Sequence, residues 1–253
     1  MPSRARTRAI NKVCRAGCEM VNDAESVVFL HDNSLYSNFL LSLQTESNQN
    51  CNMIRNINDF VDYLAKMATP DESSTNIYAG KSDDAKVRRK NLLLYLKKME
   101  SLHPTKILIG EAPGYHGCGK TGIPFTDEFA IATETFFENE DIRNFGLEKE
   151  RSAAIIWNVL VRKSEMPLMW NIYPFHPHKQ SPLTNRAPSA KEIFLGRDIL
   201  MELLYLFDIK DFYCIGKTSY NALKELFPDA IYVRHPSHGG MKECTEQLNE
   251  LLG

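Results

Sequence analysis

From residue 106 onward the chain alternates two hydrophobic patterns. Short, nearly continuous apolar runs occupy residues 106–109, 169–172, 212–215 and 231–233. Runs of this length, bounded by polar or turn-forming residues, predict strands buried on both faces. Between them apolar residues recur every three or four positions, which predicts helices near 128–139, 153–161, 189–207 and 219–227. Strands and helices in alternation predict α/β architecture: three layers, with helices on both faces of a central, mostly parallel four-stranded sheet. Before residue 100 the pattern differs. Apolar positions in 59–66 and 91–96 keep helical spacing, while 71–84, rich in serine and containing Gly80, reads as a polar loop. The expected organisation is a helical region over 1–100 packed on an α/β domain over 101–253.

Composition adds bounds rather than a function. The chain has 253 residues, 43% hydrophobic and 25% charged, ordinary values for a globular protein. No apolar run approaches the ~20 residues of a membrane span, so no membrane partner is expected. Six irregularly spaced cysteines and no signal peptide predict reduced thiols in a cytoplasmic protein, expected as a monomer. The net charge of −2 counts against a nucleic-acid partner, although basic clusters at residues 4–8, 86–90 and 97–98 offset it locally.

The chemistry concentrates in residues 106–125, KILIGEAPGYHGCGKTGIPF. Gly114, Gly119, Lys120 and Thr121 spell G-x-x-x-x-G-K-T, the pattern of a phosphate-cradling loop in nucleotide hydrolases. Such a loop joins a strand directly to a helix that the Lys-Thr pair opens. Here Glu111-Ala112-Pro113 separates the strand from Gly114, and Glu111 would oppose a phosphate. Gly122-Ile123-Pro124 follows Thr121, and the residue before a proline is biased out of the α region. That reading requires a helix starting at Thr121.

The same stretch also reads from Gly110. A glycine at a strand end lets a ligand approach the backbone closely. Glu111 and Ala112 then stand at the strand's carboxyl end, where α/β sheets bind ligands. Pro113-Gly114 turns the chain, and Phe125 returns as a ring able to lie flat on a base. Two further strand ends carry chemistry: Asn171 in Met-Trp-Asn-Ile-Tyr-Pro, and His235 in Tyr-Val-Arg-His-Pro-Ser. A lone asparagine is ordinarily a turn former, and a lone histidine beside proline a surface loop residue. Their order, each after an apolar run, is what gives them weight.

With G-E-A-P-G and Phe125 first, Asn171 in the middle and H-P-S late, the sequence resembles the uracil-DNA glycosylase superfamily, in particular its G-E-A-P-G branch. The resemblance implies a DNA glycosylase that flips uracil or a related deaminated base out of DNA and hydrolyses its N-glycosidic bond. It implies that Phe125 stacks on the base and that Asn171 reads its edge, an amide offering one acceptor and two donors. Gly110, Ala112, Pro113, Gly114, Tyr115 and Ser237 would complete the substrate site. His235 would stabilise the leaving anion and Glu111 would place water. Gly239, Gly240, Met241 and Lys179 would lie along the DNA backbone.

The chain departs from the family pattern in three places. Ala112 stands where the best-known branch has an aspartate. No cysteine follows Asn171, so the four-cysteine iron–sulfur pattern of the G-E-A-P-G branch is missing, and no cofactor is expected. After Ser237, His238-Gly239-Gly240 leaves Met241 as the one apolar side chain near the tip. His176-Pro177-His178 lacks the further ligands a zinc ion needs and reads as a polar loop, in which Lys179 and Arg186 suit phosphate. A non-catalytic nucleic-acid or nucleotide-binding protein of the same fold stays open as an alternative.

Overall fold

The computed structural model describes residues 54–138, 140–143 and 146–253. The helices expected over residues 1–53 lie outside the described residues, as do Cys14, Cys18 and Cys51. Arg55–Gly253 forms one compact unit. In chain order its elements are α1 (Ile57–Lys66), β1 (Ser74–Thr75), α2 (Asp83–Leu102), β2 (Lys106–Gly110), α3 (Cys118–Thr121), α4 (Glu128–Thr133), a 3-10 turn (Thr135–Phe137), α5 (Arg151–Leu160), β3 (Leu168–Asn171), β4 (His176–Pro177), α6 (Ala190–Tyr205), β5 (Asp211–Ile215), α7 (Lys217–Leu223), β6 (Ile231–Val233) and α8 (Met241–Leu252).

The fold is α/β. Strands β2, β3, β5 and β6 make one parallel sheet in the order β3-β2-β5-β6. Ile109 lies opposite both Trp170 and Cys214, and Ile215 opposite Val233. Every residue of β3 is buried, as are Ile107 to Gly110 of β2. Strands without an exposed alternate face need cover on both sides, which the surrounding helices supply. The chain runs outward from β2 to β3, then returns to β5 on the other side of β2. The strand order therefore reverses between β2 and β5, and the crevice at their carboxyl ends is where such sheets take ligands.

Local sequence explains the framing helices. Asn56 caps α1 by accepting the Asp59 N–H at 3.0 Å, and α1 buries Ile57, Phe60, Val61 and Leu64 at helical spacing. Ser189 and Glu192 form a capping box at the start of α6. Gly196 lets α6 lie directly on the sheet, since a Cβ there would come within 1.8 Å of the Ile172 carbonyl oxygen.

Four local expectations need correction. Residues 71–84 are not all loop: Ser74–Thr75 pairs antiparallel with His176–Pro177, and Asp83 already opens α2 behind the Ser82 cap. Two-residue strands carry no periodicity to read. The helix expected over 128–139 stops at Thr133; its Oγ1 bonds back to the Phe129 carbonyl at 2.8 Å, and Glu134 turns extended before the 3-10 turn. Helix α7 begins at Lys217 and ends at Leu223, earlier at both ends than expected. Helix α8 was not anticipated, although Cys244, Leu248 and Leu252 mark its buried stripe.

Candidate active site

The carboxyl ends of the four strands bring the three motifs together. Gly110 and Asn171 are direct partners across β2 and β3. A Cβ at Gly110 would lie 2.6 Å from Asn171 Oδ1 and 2.6 Å from Phe125 Cζ. The glycine is therefore required by the close approach of both side chains. Phe125 holds a left-handed backbone, φ +54°, which costs a non-glycine residue energy and needs outside support. The Trp157 indole N–H supplies it by donating to the Phe125 carbonyl at 3.1 Å. Asn171 is 4% exposed, and among the described residues the one hydrogen bond of its side chain runs from Nδ2 to Cys118 Sγ at 3.9 Å.

Across the crevice, β6 delivers His235. Two strand spacings, about 10 Å, separate its strand from β2. The Gly216 backbone, φ +95°, sits against the ring: a Cβ there would meet His235 Cβ at 3.4 Å. The Ser237 backbone N–H donates to His235 Nδ1 at 3.1 Å, and the Ser237 hydroxyl lies 2.7 Å from the same nitrogen. A backbone N–H can only donate, so Nδ1 is the acceptor and the ring proton of the neutral imidazole sits on Nε2. Burial lowers the His235 pKa from its ordinary value, and the Glu111 carboxylate opposes that shift. Glu111 is half-buried and close enough to act electrostatically on the ring.

The loop between them is closed on itself. The Gly119 N–H donates to the Gly114 carbonyl at 2.8 Å, and a Cβ at Gly119 would strike that same oxygen. His176 places Nδ1 2.7 Å from the Pro113 carbonyl and Nε2 2.9 Å from the Pro182 carbonyl, tying the loop to the 178–187 segment. The Tyr115 N–H donates to Asn185 Oδ1 at 3.1 Å, a further tie to the same segment. The Tyr115 and His116 rings touch at a 40° tilt, with centroids 3.7 Å apart. Ala112 is half-buried beside Glu111.

The model of the uracil DNA glycosylase superfamily matches residues 97–250. The chain belongs to the uracil DNA glycosylase superfamily. No curated protein matches it significantly. Among solved structures, wild-type SMUG2 of Pedobacter heparinus is similar in fold, with a TM-score of 0.56 over 78% of this chain and 97% of that one, at 13% identity.

The phosphate-loop geometry is absent from this superfamily member's motif. Helix α3 ends at Thr121 instead of starting there, and Gly122 follows with φ +78°. The N–H groups of Gly119, Lys120 and Thr121, which would have to face a phosphate, bond to Gly114 and Gly117 carbonyls. Thr121 is buried and its hydroxyl donates to the Thr126 carbonyl at 2.7 Å. Lys120 pairs with Glu148, which also holds His116.

Other sequence-predicted residues separate. Ser237 touches His235, and Gly240 packs beneath it: a Cβ there would lie 2.2 Å from the His235 carbonyl oxygen. His238, φ +50°, and Gly239, φ +78°, form the exposed tip of a turn closed by Gly240 N–H to the Ser237 carbonyl at 3.0 Å. Met241 opens α8 and is 48% exposed. Lys179 is exposed but belongs to the segment after β4, which pairs with β1 in a separate two-stranded sheet. Arg186 is not a phosphate ligand: its guanidinium bonds Glu192 at 2.6 and 2.8 Å, the Ser73 carbonyl and the His178 carbonyl. A buried carboxylate needed a cation, and residue type alone could not reveal that. His176 and His178 are buried and bonded to carbonyls and to Thr75, not arranged around an ion. Among the described residues, Cys118, Cys214 and Cys244 are free buried thiols on three different elements.

Sequence reading missed three contributors. Cys118 touches Asn171. Arg234 clamps the turn through the His238 carbonyl at 3.2 Å. Glu150 lies against Gly117, its carboxyl pKa raised by burial and by nearby Asp127. For Cys118 and Glu150 tertiary contact is the only signal; the Arg234 clamp is local, four residues along the same turn.

Proposed function

We propose that the chain is a DNA glycosylase that hydrolyses the N-glycosidic bond of uracil or a related deaminated base. The observation that carries the reading is the pinned neutral His235. Breaking the glycosidic bond sends its electron pair into the base, whose carbonyl oxygen becomes anionic. A neutral Nε2–H donor stabilises that charge only as it develops, which lowers the barrier instead of merely tightening binding. The sugar takes on oxocarbenium character and water adds to its anomeric carbon. Glu111, at the end of the neighbouring strand, holds that water and accepts its proton; no carboxylate is available at Ala112. Phe125 stacks on the base, and Asn171 pairs with its N3–H and O4. Gly110, Pro113, Gly114 and Tyr115 wall the pocket. The tip of the turn, at His238 and Gly239, and the start of α8 offer backbone N–H groups to phosphates.

The test is excision from single- and double-stranded oligonucleotides carrying uracil, hypoxanthine or xanthine. Turnover on at least one of them is expected. No excision at stoichiometric protein would leave the fold and remove the chemistry, in favour of a binding protein.

A further inference from the structure

His235 is held through its Nδ1, and the group that holds it is itself held. Two groups of Ser237 converge on that nitrogen: the backbone N–H at 3.1 Å and the hydroxyl oxygen at 2.7 Å. The same hydroxyl oxygen lies 2.9 Å from His238 Nδ1. Ser237 Oγ thus stands between two imidazole nitrogens, with one proton to give and lone pairs to receive.

Only one placement of protons makes a hydrogen bond of every contact. The backbone N–H can only donate, so His235 Nδ1 is bare and has no proton to offer the hydroxyl. The contact at 2.7 Å is therefore a hydrogen bond only if the serine donates it. That uses the hydroxyl's single proton. At 2.9 Å the serine oxygen must then accept, and His238 Nδ1 must carry the hydrogen. With His238 Nδ1 bare, lone pairs would face each other across one of the two contacts. The chain runs one way, from His238 Nδ1–H to Ser237 Oγ–H to His235 Nδ1.

The turn presents His238 for this role. Its backbone is left-handed, φ +50°, a conformation that costs energy for a residue with a side chain. Arg234 Nη2 donates to its carbonyl at 3.2 Å, and the Gly240 N–H closes the turn on the Ser237 carbonyl at 3.0 Å. His238 is exposed while Ser237 and His235 are half-buried, so the chain enters the crevice from its rim. We infer that His238 is a positioning residue: acting through the Ser237 hydroxyl, it keeps His235 Nδ1 an acceptor and fixes the Nε2–H that the leaving base needs. Donation to Nδ1 also draws electron density from the ring, which makes Nε2–H a stronger donor as charge develops on the base. The inference rests on the glycosylase reading above.

The experiment uses whichever of uracil, hypoxanthine and xanthine the parent excises from a single-stranded oligonucleotide. It measures the single-turnover rate, and affinity for the same strand carrying a non-cleavable analogue of that base. The variants are His238→Gly, His238→Asn, Ser237→Ala and the double variant Ser237→Ala/His238→Gly. Glycine accepts the left-handed backbone and removes the donor. Asparagine also tolerates that backbone and brings an amide N–H to about the place of Nδ1. The rate should fall about tenfold in His238→Gly and in Ser237→Ala, roughly the worth of one neutral hydrogen bond, with affinity unchanged. The double variant should lose no more than Ser237→Ala, since one chain is broken at two links. His238→Asn should restore most of the parental rate. A parental rate in His238→Gly, additive losses in the double variant, or an asparagine variant as slow as the glycine variant would each overturn the inference. Loss of affinity in step with rate would overturn it too, by placing the His238 side chain on the DNA. Nuclear magnetic resonance of the ¹⁵N-labelled imidazoles reads the chain without turnover: the neutral His238 ring should carry its proton on Nδ1 and His235 on Nε2. A neutral His238 ring protonated on Nε2 would overturn the chain even in an active parent. A parent that excises none of the three bases removes the glycosylase reading and His238's part in turnover, while the His238 tautomer still decides the hydrogen-bond chain.

Discussion

The two loops that meet at the crevice are built in opposite ways. Residues 110–125 are over-determined: Gly110 admits two side chains at van der Waals limits, Trp157 holds Phe125 in a strained backbone, and Gly114 and Gly119 close the loop on itself. Residues 234–240 are sparse. Their tip is two left-handed residues with open space around Gly239, clamped from behind by Arg234. The first loop suits a task of shape and edge recognition, where displacements of a fraction of an ångström matter. The second suits a task of charge, where one oriented N–H and a few backbone donors suffice. Substitutions in each should therefore fail differently.

The largest effect should come from the charge side. His235→Ala removes the donor to the developing anion, and the excision rate should fall on the order of 10²–10³, as when one oxyanion-hole donor is deleted. Affinity for DNA carrying a non-cleavable uracil analogue should change little, because phosphate contacts dominate it. Equal losses in rate and affinity would assign His235 to binding and erase the contrast between the loops.

The shape side should break next. Gly110→Ala puts a methyl 2.6 Å from both Asn171 Oδ1 and Phe125 Cζ. Both must move, and a misplacement of about 1 Å costs on the order of 10²-fold in rate. Here affinity for the uracil analogue should fall together with turnover, which is the opposite signature to His235→Ala. Thermal unfolding should confirm that the variant folds. Parental activity would mean that neither Asn171 nor Phe125 reads the base.

The two loops also differed in legibility. The four strands of the parallel sheet could be read because their apolar runs are short and end near chemically distinctive residues, so the sequence alone sets Gly110, Asn171 and His235 at strand ends; β6 is nonetheless only partly buried, with Ile231 exposed. Which neighbours those residues acquire could not be read. Arg186 has the composition of a phosphate ligand, yet it serves the buried Glu192. Cys118 sits inside a motif that spells a phosphate loop, yet it ends beneath Asn171. Strands β1 and β4 are two residues each, too short for any period. Pattern reports which face of an element is buried; it does not report which distant partner covers it.

The pH dependence sharpens the contrast further. His235 acts as the neutral ring, and its pKa is lowered chiefly by burial. A depressed histidine pKa means that the neutral folded form persists as pH falls below the ordinary value of about 6.5; protonation of the folded ring, with loss of activity, comes only at the folded-state pKa, whereas its share of stability is lost progressively as pH falls from about 6.5 to that folded-state pKa. The acid limb of the excision rate should therefore lie below about 6.5. Glu111→Gln removes the carboxylate that opposes the shift, so its residual activity should show a limb displaced further to acid. A displacement toward neutral pH would mean that Glu111 does not act on the ring.

The smallest expected effect tests the rejected reading of the same loop. Lys120 would be the indispensable phosphate-binding lysine if residues 114–121 were a nucleotide site. In the structure its ammonium pairs with Glu148, and the neighbouring backbone N–H groups are engaged by carbonyls of the loop itself. Lys120→Ala should therefore leave uracil excision unchanged within error. The pair is partly solvated, so little stability should be lost. Neither parent nor variant should release phosphate from ATP. Phosphate release by the parent that disappears in Lys120→Ala would reverse the assignment of this loop, because no arrangement of Gly119, Lys120 and Thr121 seen here offers a phosphate its donors.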